Sequence, residues 1–259
     1  MSKFFQAKCF IQYWLEAVDE HSLHSPFLFD FYTQVINKKS PSNDDEYIES
    51  LRQKLLQNTQ GIFVDDPGSG SMVLTGNERA ISDIARTSLS TRKSSSLYTR
   101  IITYAQARHI VELGTSLGIN TLYLAQGDTH VTTFEGSAPI ARIARQNFEI
   151  AQASNINLVE GNIDTTLPGF LLRTGKLDVI FLDANHRYTP TLKYFGWLIN
   201  HVHDRTVMIV DDIHASPEMQ RAWQTIQVND RVYASVDLFR CGIVFFDPSL
   251  NKQHVVLSF

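Results

Sequence analysis

A glycine-containing turn follows a short apolar run at residues 111–120, where the sequence reads VELGTSLGIN. Gly114 and Gly118 would let the backbone approach a ligand closely, and Glu112 lies two residues before the first glycine. The turn lacks the Lys-Ser/Thr pair of a P-loop, and its spacing is not G-x-G-x-x-G. The pattern therefore leaves a nucleoside pocket or an ordinary tight turn, and disfavours a phosphate cradle.

Polar and acidic residues close the next two apolar runs. Glu135 ends the run VTTFEG about twenty residues beyond the turn, where α/β nucleoside-binding folds place an acid that accepts hydrogen bonds from ribose hydroxyls. A surface acid at this position by chance is the alternative. The next run ends in EGNID, and we expect Asn162, Ile163 and Asp164 to hold an adenine by an apolar contact and a polar edge.

Three carboxylates follow two further apolar runs. Asp183 closes LDVIFLDA, and Asp211 with Asp212 closes TVMIVDDI. Three uncompensated like charges close together are unfavourable, and a divalent cation such as Mg²⁺ would resolve this. Such a metal would also orient a bound hydroxyl and lower its pKa. Alternatively, Asp211 or Asp212 caps the following helix or binds a cofactor amine.

Two histidines accompany these acids. His186 lies three residues beyond Asp183, and imidazole is well suited to accept a proton near neutral pH. We expect His186 to deprotonate an acceptor hydroxyl, although a hydrogen bond to a backbone carbonyl would give it a purely structural role. His214, in the segment DDIHAS, is the second candidate base.

The elements that must position these residues alternate between strands and helices from residue 109 onward. Short β-branched runs without polar alternation are typical of a parallel sheet that helices cover on both faces. Three runs with short connections, VYASVDLF, GIVFFD and HVVLSF, predict antiparallel strands at one edge. Residues 1–95 predict a helical N-terminal extension that includes a Gly/Ser/Pro-rich loop at 65–77. Residues 96–259 predict the α/β domain.

The composition and hydropathy of the chain disfavour several classes of function. The 259 residues carry a net charge of −4, which disfavours a general nucleic-acid binder. No apolar run reaches the ~18 residues that a membrane span needs. The first residues mix polar side chains into their apolar run and do not resemble a signal peptide. We therefore expect a cytoplasmic protein without a membrane span.

The motifs VELGTSLG, TFEG, EGNID and VIFLDANHRY together resemble class I S-adenosylmethionine-dependent methyltransferases. The acids after the fourth and fifth strands are similar to those of the catechol and caffeoyl-CoA O-methyltransferase branch, and DANHRY with DDIHAS to an uncharacterised bacterial group. The resemblance implies a Rossmann-like, mostly parallel sheet of seven strands. It implies S-adenosylmethionine contacts at the following positions: Glu112, Gly114, Thr115, Ser116, Gly118, Asn120, Glu135, Gly136, Asn162, Ile163, Asp164 and Asp183.

The same resemblance implies methylation of an oxygen atom on a small hydroxylated acceptor. It implies a metal at Asp183, Asp211 and Asp212, and it places a catalytic Lys where this chain has His186. We expect Asp183, His186 and His214 to be the catalytic residues. That branch carries Asn at the third metal position, where this chain has Asp212. Two alternatives stay open: an aminopropyltransferase-like enzyme, and a protein that binds S-adenosylmethionine without catalysis. A small-molecule partner is expected, no nucleic acid, and a homodimer is one option.

Overall fold

The computed structural model describes residues 3–38, 45–64 and 78–259. The loop expected at 65–77 lies outside these residues. Contacts divide the chain into two compact units. The first unit is Met1–Lys38, Thr103–Ala107 and Gly175–Phe259, and the second unit is Lys39–Ile102 and Arg108–Thr174.

Helices and strands are named here in chain order. The described α-helices are α1 (Lys3–Glu16), α2 (Pro26–Phe31), α3 (Glu46–Gln57), α4 (Ile81–Ser88), α5 (Arg92–Ala105), α6 (Ile119–Leu124), α7 (Ala138–Ile150), α8 (Ile163–Leu171), α9 (Tyr188–Leu198) and α10 (Pro217–Gln227). The described strands are β1 (Gly61–Phe63), β2 (Glu78–Ala80), β3 (His109–Leu113), β4 (His130–Glu135), β5 (Ile156–Glu160), β6 (Val179–Leu182), β7 (Val207–Asp211), β8 (Ala234–Asp237), β9 (Cys241–Phe245) and β10 (Gln253–Val256).

In the second unit, β3, β4 and β5 are parallel neighbours in that order. Leu113 pairs with Phe134, and Glu135 pairs with Glu160 at the carboxyl end of the next strand. Parallel pairing brings these carboxyl ends to one edge, which is where α/β sheets bind ligands. The residues of the glycine turn and the acid of the second run therefore share an edge, as expected.

In the first unit the strand order is β10-β8-β9-β7-β6. β6 and β7 are parallel, β9 is antiparallel to both of its neighbours, and β10 is parallel to β8. The α/β fold with a mostly parallel sheet is thus confirmed, and β9 is antiparallel as expected. The expectation was wrong for the run HVVLSF, because β10 pairs with β8 in parallel. The strands β3 to β10 number eight where the resemblance implied seven, because the last apolar run, HVVLSF, adds β10.

Burial of the central strands on both faces explains why their sequences show no alternation of polar and apolar residues. Every residue of β6 and of β7 is buried. A strand buried on both faces needs apolar side chains on both, so its sequence is a continuous apolar run.

The N-terminal part departs from the expected pure helix in two places. β1 and β2 form an antiparallel pair, and β2 occupies the first residues of a segment expected to be helical. Three residues are too few to show the period of two that identifies a strand. The expected domain boundary at residue 95 stays a prediction. Within the described residues no helix has both the length and the hydropathy to cross a membrane.

The packing role of Gly118 in the glycine turn can be tested against Gly127 as a matched control. Both have positive φ, 82° and 80°. A Cβ at Gly118 would lie 2.6 Å from the Phe148 ring, whereas a Cβ at Gly127 meets nothing within 4 Å. We expect Gly118→Ala to lower the free energy of unfolding by about 1–3 kcal/mol more than Gly127→Ala, since only the first adds overpacking to backbone strain. Urea denaturation measures both; equal losses would contradict the packing role.

Candidate active site

The glycine turn is held by backbone hydrogen bonds to the next strand. The amides of Gly114 and Thr115 both donate to the Phe134 carbonyl, at 3.0 and 3.1 Å. Gly114 has φ 104°, so it requires glycine, and Ser116 also adopts a left-handed conformation at φ 49°. Gly118 has φ 82°, and its missing Cβ makes room for Phe148 of α7. Its expected close approach to a ligand stays a prediction.

Glu112 is a buried carboxylate that accepts three side-chain hydrogen bonds. Its side chain is fully buried, with Thr121 and Thr133 donating to Oε2 and Asn120 donating to Oε1. Burial raises the pKa of Glu112 to about 7, and the three hydrogen bonds oppose that rise. The observed contacts of this residue therefore fix the turn, and its expected contact with a cofactor stays a prediction.

Glu135 lies directly against the turn. Its Oε2 accepts from the Ser116 amide at 2.9 Å, and its Oε1 accepts from the Ser137 amide at 2.9 Å. The Gly161 amide donates to the Glu135 carbonyl, which brings the end of β5 to the same place. The turn, Glu135 and the start of α8 therefore come together, as the sequence predicted.

At the start of α8, the Asn162 side chain is the helix cap. Its Oδ1 accepts from the Asp164 amide at 2.8 Å. Asn162 therefore positions Ile163 and Asp164 at the first turn of the helix. Ile163 is buried.

Two buried polar atoms around this edge have no hydrogen-bond partner within the described residues. They are Asn120 Oδ1 and Ser137 Oγ. Asn120 belongs to the expected cofactor set, and Ser137 directly follows Gly136. Buried polar atoms are nearly always paired, so these are atoms that a polar ligand would satisfy. The second unit therefore fits a nucleoside-type cofactor at this edge.

The acidic residues of the first unit lie at the carboxyl ends of β6 and β7. Leu182 pairs with Val210, so Asp183 and Asp211 are the next residues of the two parallel strands. Asp211 is 2% exposed, and Asp212 follows with φ 54°. The Arg240 guanidinium lies 4.0 Å from Asp212 Oδ1 and supplies positive charge there. Within the described residues no group of three or more His, Cys, Asp or Glu is arranged to hold a metal ion.

His186 lies on a strained loop beside Asp183. Asn185 and His186 both have positive φ, 64° and 27°, and His186 Nε2 lies 3.4 Å from Asp183 Oδ1. Burial lowers the pKa of His186 below its usual 6.5; Asp212 opposes this shift and Arg240 adds to it. The ring is therefore neutral at pH 7, which is the form that accepts a proton.

His214 is paired with Asp237, a residue that the sequence analysis did not single out. His214 Nε2 lies 2.7 Å from Asp237 Oδ2, and the buried His214 Nδ1 has no partner among the described residues. The pair borders a cavity of about 100 Å³ that Trp223 also lines. β7 and β8 run in the same direction, so Asp237 at the end of β8 lies on the same edge as Asp211. The signal available in the sequence was the position of Asp237 near the end of the apolar run VYASVDLF.

Residues 111–213 match a family model described as a methyltransferase domain. The match covers the glycine turn, Glu135, Asp164 and the acids after β6 and β7. This segment is therefore similar to a methyltransferase domain, and the expected resemblance to class I S-adenosylmethionine-dependent methyltransferases is confirmed.

Within that class, the curated relatives are catechol O-methyltransferases. One from Mycobacterium tuberculosis is 33% identical over 112 residues, and one from Niastella koreensis is 28% identical over 113 residues. Each match covers 42% of this chain and about half of the relative, 49% and 50%.

Among solved structures, the O-methyltransferase from Bacillus cereus in complex with SAH has a TM-score of 0.57 at 19% identity, covering 85% of this chain and 97% of that chain. At this identity the likeness shows the fold.

The raised pKa of Glu112 predicts how stability depends on pH. Between about pH 4.5 and 7 the folded state binds this proton and the unfolded state does not, so stability should fall as pH rises, by up to about 1.4 kcal/mol per unit. Glu112→Gln imitates the protonated form and should remove this part of the slope. Urea unfolding across that pH range tests it; an unchanged slope in the variant would refute the assignment.

Proposed function

We propose that this protein is an S-adenosylmethionine-dependent methyltransferase that methylates an oxygen of a small hydroxylated molecule. The observation that carries the proposal is the shared edge of β3, β4 and β5. There Glu135 accepts hydrogen bonds from the backbone of the glycine turn, and two buried polar atoms, Asn120 Oδ1 and Ser137 Oγ, have no hydrogen-bond partner among the residues that the structure describes. The names of the relatives support oxygen as the methylated atom.

The second unit would bind the cofactor. Gly114 and Ser116 shape the turn that the cofactor would contact. Glu135 would accept hydrogen bonds from ribose hydroxyls through the carboxylate lone pairs that the Ser116 and Ser137 amides do not occupy. Ile163 and Asp164 would bind the adenine. When bound, the cofactor supplies a methyl group already activated by the sulfonium, so the protein must mainly align the acceptor and provide its deprotonated oxygen.

His186 is the proposed general base. Its ring is neutral at pH 7, and Asp183 lies 3.4 Å from Nε2, where it would stabilise the imidazolium formed on proton transfer. His214 is the second candidate. Its Nε2 is bound to Asp237, which leaves Nδ1 as the atom able to accept a proton.

Metal assistance at Asp183, Asp211 and Asp212 stays a prediction. Arg240 lies near Asp212, and three suitable donors do not converge among the described residues. The donor set as arranged does not fit a resident divalent cation, so no step of the proposed reaction is assigned to one.

The two alternatives predict different outcomes in a methyl-transfer assay. An aminopropyltransferase-like enzyme would act with decarboxylated S-adenosylmethionine and leave hydroxylated acceptors unmethylated. A non-catalytic binder would retain cofactor affinity without turnover.

Confinement of the protein to the cytoplasm remains an expectation.

Glu135→Ala should weaken S-adenosylmethionine binding by about 1.5–3 kcal/mol, since it removes charge-assisted hydrogen bonds to the ribose. Glu160→Ala is the matched control, because Glu160 is the paired acid on the next strand and is bonded to Arg145 at 2.7 Å. Calorimetry compares the two variants with the wild type. Equal affinities for all three proteins would contradict the ribose assignment.

His186→Ala should lower the single-turnover rate of methyl transfer to catechol by roughly 10²–10⁴-fold, with cofactor affinity retained. His203→Ala is the matched control, since His203 pairs with Asp178 at 2.9 Å and these two side chains are about as exposed as His186 and Asp183. Asp178 lies directly before β6, at the other end of that strand from Asp183. The control should keep the wild-type rate. If His186→Ala also keeps it while His214→Ala loses it, His214 is the base.

A further inference from the structure

Helix α1 has apolar side chains on two opposite sides. One side faces the protein: Cys9 and Tyr13 are buried, and the Tyr13 hydroxyl donates to the Leu257 carbonyl at 2.7 Å. The other side is exposed to solvent although it is also apolar. Its members, with their exposed fractions, are Phe4 (82%), Phe10 (49%), Ile11 (59%), Trp14 (69%) and Leu15 (71%).

These five residues form one continuous face, called here the outer face of α1. Phe4, Ile11 and Leu15 are separated by seven and four residues, and Phe10 with Trp14 by four, so all five lie on one side of the helix. Five of the eleven large apolar side chains found exposed in the described chain belong to this single helix. Soluble monomers rarely keep such a contiguous patch in water, so the patch marks an interaction surface.

We propose that the outer face of α1 is a homodimer interface, in which α1 packs antiparallel against α1 of a second copy across a two-fold axis. Large apolar side chains at these exposures present on the order of 600–800 Å². A stable dimer interface buries about 800 Å² per partner, so the face supplies most of the area required.

The charges along α1 favour the antiparallel arrangement. Lys8 lies in the first half of the helix, and Glu16 ends it on the same flank, two turns later. A two-fold axis across the interface places the same flank of both helices side by side but in opposite directions. Lys8 of each copy then lies toward the Glu16 end of the other, whereas a parallel pair would place Lys8 and Glu16 of the two copies on opposite flanks.

The same charges disfavour a lipid surface as the occupant. Helices that lie in a membrane interface carry a polar face rich in Lys and Arg. In α1 the opposite face is buried in the protein, the acids Glu16 and Asp19 follow the outer face, and the chain carries a net charge of −4.

Sedimentation velocity of the full chain across a wide concentration range tests the proposal. The wild type should be a dimer, and Trp14→Glu/Leu15→Glu should be a monomer with unchanged circular dichroism. Leu172→Glu is the matched control, since Leu172 is 88% exposed and lies just beyond α8; this variant should stay dimeric. A monomeric wild type, or a dimer indifferent to the α1 substitutions, would overturn the proposal.

Orientation has its own test. Mixed Phe4→Cys and Leu15→Cys chains should cross-link to each other, while each alone should not, because an antiparallel pair places the two positions near one another. Lys8→Glu should weaken the dimer about two- to fivefold, and Lys8→Glu/Glu16→Lys should restore it.

Cross-linking of Leu15→Cys to itself refutes the antiparallel arrangement. Wild-type monomers that co-sediment with phosphatidylglycerol vesicles assign the face to a membrane and overturn the dimer.

Discussion

The carboxylate of Glu112 ties three elements of the second unit together from a fully buried position. It sits in β3, accepts from Thr133 in β4 and accepts from Thr121 and Asn120 in α6. A buried carboxylate is tolerated only with such a set of donors. The start of α6 is therefore fixed against both strands, and the turn between β3 and α6 has little freedom left. Everything proposed for the cofactor depends on that fixed turn.

The glycines of the turn serve two purposes. Gly114 provides a backbone conformation that brings two amides to one carbonyl of β4, whereas Gly118 makes space for an aromatic ring of α7. A motif that resembles a ligand-binding signature is thus partly a packing signature. The proposed ligand-directed part rests on Ser116, whose amide donates to Glu135, and on Asn120, whose buried Oδ1 has no hydrogen-bond partner in the described part of the chain.

Three histidine–carboxylate pairs occur among the described residues of the first unit, and they differ in their surroundings. Asp178 directly precedes β6 and its partner His203 lies before β7, whereas Asp183 and His186 follow β6. His214 and Asp237 follow β7 and end β8, beside a small cavity. At the carboxyl edge, Arg240 adds a positive charge next to Asp212. That charge offers a way to compensate the acidic residues that needs no metal, and it was absent from the expectation based on the three acids alone.

The sequence by itself determined the strand–helix alternation, the parallel sheet and the acids at the strand ends, because apolar runs and their terminal residues are local properties. It also indicated eight strand-like runs, although the resemblance implied seven. Only the tertiary structure decided which partner each polar group takes. Glu112 binds side chains from β4 and α6, Gly118 packs on Phe148, and His214 pairs with Asp237, contacts that join residues distant in sequence. The apolar residues of α1 read as one helix in the sequence, but their division into a buried side and an exposed side depends on what the fold packs against them.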